Sequence, residues 1–217
     1  MSKPLAEVLS AEQALIFRIT HRDNVPHILA NGLHCQSSPT VNPDFVPIGH
    51  PDIMDRRKAR QVITDPGGTL ADYVPFYFTP CTPMLYNIVT GHLGIRRRTK
   101  AEIVVIVSSL ELLERAALDY IIVDRNATLM AATMAAGRSL VPTLQWEDWR
   151  TRNFKRDFDD PTRFERYQAE ALVHRVLPTA AISSIITYDK LTQGAVSEAV
   201  SQACLDLPAY VQPSWYT

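Results

Sequence analysis

Glycine is scarce in this chain of 217 residues, eight in all, and only Gly67 and Gly68 are adjacent. No GxGxxG or Walker-type loop can be drawn from them, so neither a Rossmann domain nor a P-loop is expected. Cysteine is scarcer still. Cys35, Cys81 and Cys204 are odd in number and far apart; free thiols in a reducing compartment are expected rather than disulfides or a thiolate zinc site. No window approaches the ~18 uninterrupted apolar residues of a membrane span. The N-terminus lacks an apolar signal segment, so a cytoplasmic protein without membrane contact is expected. An excess of either charge is also missing: 22 Lys+Arg against 23 Asp+Glu leave a net charge of −1. A nucleic-acid site therefore has to be a local basic patch. The histidines, His21, His27, His34, His50, His92 and His174, show no HExxH-like spacing and no companion carboxylates, so no metal is expected. Ser108, Ser109 and Cys81 lack a nucleophile elbow or a local base.

An apolar content of 46% in this length supports a sizeable core, and residues 1–217 read as one domain. Residues 14–21 form a β-rich strand, and 24–33 a short helix closed by Gly32. Residues 36–68 are a long insert rich in Pro, Gly, Ser and Asn; its island at 52–60 has room for one or two helical turns. Residues 73–78 read as a strand, and Pro83 opens a helix. Residues 102–107 are nearly continuous in β-branched side chains and read as a central strand. Residues 120–123 follow as a strand, 129–136 look helical, 146–166 are charged and aromatic without clean periodicity, and 182–188 form a late strand. The fold class is α+β.

Glu170 is the residue most in need of a reason. It lies in an alternating run that places Gln168, Glu170, Leu172 and His174 on one face of a half-buried strand and Ala169, Ala171 and Val173 on the other. It is expected to be an exposed acid at a strand mouth, suited to orienting a sugar hydroxyl and stabilising positive charge on an anomeric carbon. Arg56, Arg57, Lys58 and Arg60 read equally as a solvated helix face or as phosphate donors. Arg96, Arg97, Arg98 and Lys100 read as a solvated turn or a nucleic-acid contact. Tyr73 and Tyr77 read as packing aromatics with hydroxyls at the surface. His21, ending a strand before a helical turn, reads as a ligand contact or an ordinary half-exposed histidine.

Taken in order, Phe17-Arg18-Ile19-Thr20-His21, Ile28-Leu29-Ala30-Asn31-Gly32-Leu33, Ile48-Gly49 with Arg56-Arg57, Asp72-Tyr73-Val74-Pro75-Phe76-Tyr77-Phe78-Thr79-Pro80 with Pro83-Met84, Asp124-Arg125-Asn126-Ala127 and Tyr167-Gln168-Ala169-Glu170 resemble the DarT family of DNA ADP-ribosyltransferase toxins over nearly the whole chain. The resemblance implies an ADP-ribosyltransferase fold, a split pair of small mixed β-sheets around an NAD cleft. It implies transfer of ADP-ribose from NAD, used as substrate without a metal, to thymine in single-stranded DNA, and a macrodomain antitoxin, DarG, as partner. By the same resemblance Glu170 is the catalytic glutamate and Arg57 the catalytic arginine, with Arg56 and Arg60 left open by the irregular insert. Ile19, Thr20, His21 and Gly32, then Tyr77 and Thr79, are the NAD-binding elements. Residues 146–166 are the substrate loop, with Trp146, Trp149, Phe154 or Tyr167 as stacking rings. Arg96, Arg97, Arg98, Asn126, Lys155, Arg156 and Arg166 are the DNA contacts. One departure is Cys81-Thr82, where a basic residue and a serine are expected before Pro83.

The chemistry agrees with those residues. Loss of nicotinamide builds an oxocarbenium-like sugar that a carboxylate stabilises, and the N3 proton of thymine must leave as N3 attacks. Arginine hardly releases its proton, so Glu170 is the expected acceptor and Arg57 a clamp or relay. An RNA- or protein-directed transferase would share the NAD site; labelling DNA against RNA separates them. A non-catalytic NAD or nucleic-acid binding module would release no nicotinamide.

Overall fold

The computed structural model describes residues 4–40 and 42–216. Its strands are β1 (Leu15–His21), β2 (Leu33–His34), β3 (Tyr73–Tyr77), β4 (Ile103–Ser109), β5 (Tyr120–Val123), β6 (Met134–Ala136), β7 (Glu170–His174), β8 (Val176–Leu177), β9 (Ser184–Thr187) and β10 (Ala209–Val211). Its helices are α1 (Leu5–Val8), α2 (Val25–Asn31), α3 (Pro51–Ala59), α4 (Pro83–Thr90), α5 (Leu110–Arg115), α6 (Trp146–Arg150), α7 (Arg163–Arg166) and α8 (Lys190–Gln202). The β-branched run of β4 is buried at every position and lies inside the sheet, as its composition predicts.

Eight strands form one sheet in the order β10-β9-β4-β1-β3-β7-β5-β6, and β2 pairs with β8 alone. The large sheet is two four-stranded halves joined at a single residue pair, Phe17 with Tyr77. Only the half with the parallel β9–β10 pair is mixed; the β3-β7-β5-β6 half is wholly antiparallel. Pro75 explains the poor junction. It sits in the middle of β3, opposite Leu172 of β7, and has no N–H to offer a further strand. Its carbonyl is instead taken by the Arg18 guanidinium, at 2.9 Å. Beyond Phe17 no described strand pairs with that edge of β1.

Local signals set the helix ends. The His50 ring accepts the N–H of Asp52 at the start of α3, which has Pro51 at its first position, and Thr82 caps α4 by accepting the N–H of Leu85. The helical island expected at 52–60 is a nine-residue helix, α3. Two sequence expectations fail. Residues 129–136 are turns and then β6, because the free edge of β5 pairs with Met134, Ala135 and Ala136 and overrides their helical propensity. The strand carrying Glu170 is not half-buried. Ala171 and Val173 face the main core, and Leu172 faces a second cluster with Val62, Leu70, Tyr73, Ile121, Val123, Ala127, Ala132 and Met134. The helix α8 gives only a sparse apolar stripe, Thr192, Val196 and Val200, too weak to read from sequence.

Gly32 closes α2 at φ 80°, ψ 176°, a region open essentially to glycine, and a Cβ there would lie 2.8 Å from the Leu177 carbonyl oxygen. Gly32→Ala is expected to lower the unfolding free energy by ~1–3 kcal/mol. Urea denaturation checks this, and an unchanged midpoint would refute it.

Candidate active site

Glu170 begins β7 between Tyr77 on β3 and Val123 on β5, and is 4% exposed. The expectation of an exposed carboxylate is therefore corrected. A buried carboxylate has to be paired, and this one is held on both oxygens. Oε2 accepts from Arg57 Nη1 at 3.0 Å, and Oε1 accepts the Ala127 N–H at 3.3 Å. Arg57 also donates from Nη2 to the Leu70 carbonyl. Among the three arginines, Arg57 is the one paired with Glu170. Arg56 is exposed, and Arg60 donates to Leu129 O and Met130 Sδ.

The insert that brings Arg57 to Glu170 has a helix with no buried residue. Its position comes from the hairpin behind it, where the Val62 N–H meets Gly68 O and the Leu70 N–H meets Arg60 O, so that Val62 and Leu70 enter the second apolar cluster. Asn126 holds the other side. Its amide donates to Gln168 Oε1, its Oδ1 accepts from the Thr128 N–H and hydroxyl, and its own N–H reaches Glu165 O. That knot aims the Ala127 N–H at Glu170. Asn126, expected as a DNA contact, is thus seen buttressing the carboxylate.

Arg18 is the residue that the sequence reading passed over. Its guanidinium lies in the split of the sheet, and burial, then the neighbouring Arg57, lower its pKa to about 10. Tyr77, across from Glu170, has its phenol pushed up by burial and then by the Glu170 charge; its hydroxyl turns to Met84 Sδ. A cavity of about 130 Å³ runs from Arg18 past Asn24, His27, Gly32 and His34 to Phe45 and Met54. Of the expected NAD-binding residues, Gly32 lines it. The Thr20 hydroxyl accepts from Asn24, Ile19 is core, and the Thr79 hydroxyl accepts the Cys81 N–H. The His21 ring caps the next turn and lies 3.5 Å from Glu102. Alternation along β1 puts His21 on the face opposite Arg18 and Thr20.

The expected DNA contacts divide. Arg96, Arg97, Lys155 and Arg156 are exposed. Arg98 is paired with Glu102, and Arg166 is gripped by both oxygens of Asp160. Of the stacking candidates, Trp146, Trp149 and Tyr167 are core, with Trp149 Nε1 donating to Tyr167 O and the Tyr167 hydroxyl to Cys81 O. Only Phe154 stays partly open.

Removing Arg57 leaves a buried charge unpaired. Arg57→Ala is expected to cost ~1–3 kcal/mol, and adding Glu170→Gln should recover part of it because no uncompensated charge remains. Denaturant titration of both variants tests the pair; a second change that destabilises further would contradict it.

The sequence and the fold are similar to those of known proteins. A profile described as "ssDNA thymidine ADP-ribosyltransferase, DarT" matches residues 17–217. A DNA ADP-ribosyl transferase of Escherichia coli O127:H6 is 38% identical over 208 residues, covering 96% of this chain and 95% of that protein. The structure of Thermus sp. 2.9 DarT in complex with ADP-ribosylated ssDNA superposes with a TM-score of 0.82 at 31% identity, over 95% of this chain and 97% of that one. The same enzyme in complex with NAD+ gives 0.80 at 30% identity, over 95% and 98%. No described helix is long and apolar enough to cross a membrane. The chain belongs to the DarT family of single-stranded-DNA thymidine ADP-ribosyltransferases.

Proposed function

We propose that Glu170 and Arg57 are the catalytic pair of an NAD-dependent transfer of ADP-ribose to thymine in single-stranded DNA, with residues 1–217 working as one transferase domain. The observation that carries this reading is the buried carboxylate fixed from two sides, by Arg57 and by the Ala127 N–H. NAD enters at the split edge of β1, where backbone groups have no strand partner and Arg18 and Arg57 supply positive charge for its pyrophosphate. As the ribose–nicotinamide bond breaks, its electron pair leaves with nicotinamide, and the sugar gains positive charge that Glu170 stabilises. Thymine N3 gives its proton to Glu170 and bonds the anomeric carbon. Arg57 keeps its proton throughout, holding Glu170 and meeting the incoming anion.

Family membership extends the reading to a toxin acting on DNA in the cytoplasm, countered by a macrodomain antitoxin of the DarG type.

Glu170→Gln keeps the shape and removes the base, so transfer should fall by roughly 10²–10⁴-fold while NAD still binds. Radiolabelled NAD with a thymine oligonucleotide measures both, and wild-type labelling by the folded variant would end the assignment. Labelling should need single strands, fall steeply with salt and stop when thymine is replaced or methylated at N3. Equal labelling of a thymine-free strand would remove the acceptor while leaving NAD use intact.

A further inference from the structure

The large groove of this protein lies away from Glu170, Arg57 and Arg18. It has a volume of about 950 Å³, runs between α4, the 97–102 segment and Phe154, and ends against Tyr188 and Tyr216. Tyr86 stands on its rim, 52% exposed, with its ring 6.4 Å from Phe154, which is in turn 5.4 Å from Tyr167. Tyr167 is three residues before Glu170. A line of rings thus connects the catalytic strand to the groove.

The charge on its walls is cationic. Arg97 is exposed, with Nε tied to Val89 O so that the rest of the guanidinium faces out. Lys100 is held 5.5 Å from the centroid of the Tyr188 ring. The one acid of the lining, Glu102, is already engaged: it accepts from the Thr99 N–H and hydroxyl at 2.7 and 2.8 Å and pairs with Arg98 at 3.2 Å. Arg97 and Lys100 therefore stand uncancelled at the mouth of an aromatic groove, on a chain whose net charge is only −1. Cations along a groove with open rings are the materials of single-strand binding, in which bases stack on aromatic faces and phosphates meet Lys and Arg. Of the four rings that sequence reasoning favoured for stacking, Trp146, Trp149 and Tyr167 are in the core and only Phe154 is partly open, so the role falls to Phe154 and to other rings still open to solvent.

We propose that the groove of Tyr86, Phe154, Tyr188, Arg97 and Lys100 is a second single-stranded DNA subsite, which holds bases flanking the target thymine while Glu170 acts on the thymine itself. The inference rests on the DNA-transferase reading and adds where the rest of the strand goes. The lining of the groove includes neither Glu170 nor Arg57 nor Arg18, so a strand has to extend beyond the target thymine to reach it. A short substrate cannot fill both places, so affinity should depend on length and on one side of the thymine only.

Fluorescence anisotropy without NAD tests this, using a thymine trinucleotide and strands of about 12 nucleotides, within the ~4–16 of known single-strand footprints, extended either 5′ or 3′. The extended strand on one side is expected to bind more tightly than the trinucleotide. Tyr86→Ala should reduce that advantage about tenfold, Tyr86→Trp should restore it, and Arg97→Ala should lower the salt slope by about one unit. Full affinity of Tyr86→Ala for both extended strands, or no gain with length on either side, would overturn the proposal. Parallel incubation with labelled NAD separates the two readings. Strands bound through Tyr86 but left unlabelled would count against the transferase and for the groove; strands labelled with no dependence on Tyr86 would do the reverse.

Discussion

Pro75 sits where a continuous sheet would otherwise run through the centre of the molecule. Lacking an N–H, it cannot extend a ladder toward β1, and the two halves touch only at Phe17 and Tyr77. Arg18 occupies the opening by donating to the Pro75 carbonyl. From that one interruption follow an edge of β1 without a strand partner and a guanidinium fixed beside the place where Glu170 pairs with Tyr77.

The charges at the opening depend on one another. Glu170 is buried and needs Arg57, and Arg57 stands on an insert that holds its place through Val62 and Leu70 in the second apolar cluster. Two arginines near one carboxylate leave a positive surplus, visible in the lowering of Arg18 to about 10 by burial and by Arg57.

The surface that meets DNA is economical in basic residues because most arginines are already committed. Arg166 and Arg163 are tied to Asp160 and Asp157, which shapes the loop before β7, and Arg98 is tied to Glu102. What stays open is a small set, Arg96, Arg97, Lys155 and Arg156, close to open rings. Local patches of this kind reconcile a nearly neutral chain with a polyanionic substrate.

Residue pattern alone determined the strands of the sheet centre, the glycine stop of α2, the proline start of α4 and the α+β class, since these rest on periodicity and local backbone preference. The family resemblance in short ordered motifs marked Glu170 and placed the arginine at Arg57, with Arg56 and Arg60 left open. Only tertiary structure shows Arg57 paired with Glu170, because a 113-residue separation leaves no local trace of an ion pair. Tertiary structure also turned 129–136 from helix to strand by offering the edge of β5, buried Glu170 by covering both faces of β7, and moved Trp146, Trp149 and Tyr167 from substrate surface to core. An exposed ring and a buried one look alike in sequence. Which they become depends on what the rest of the chain brings against them, and burial is a property of the assembled fold, not of the residue.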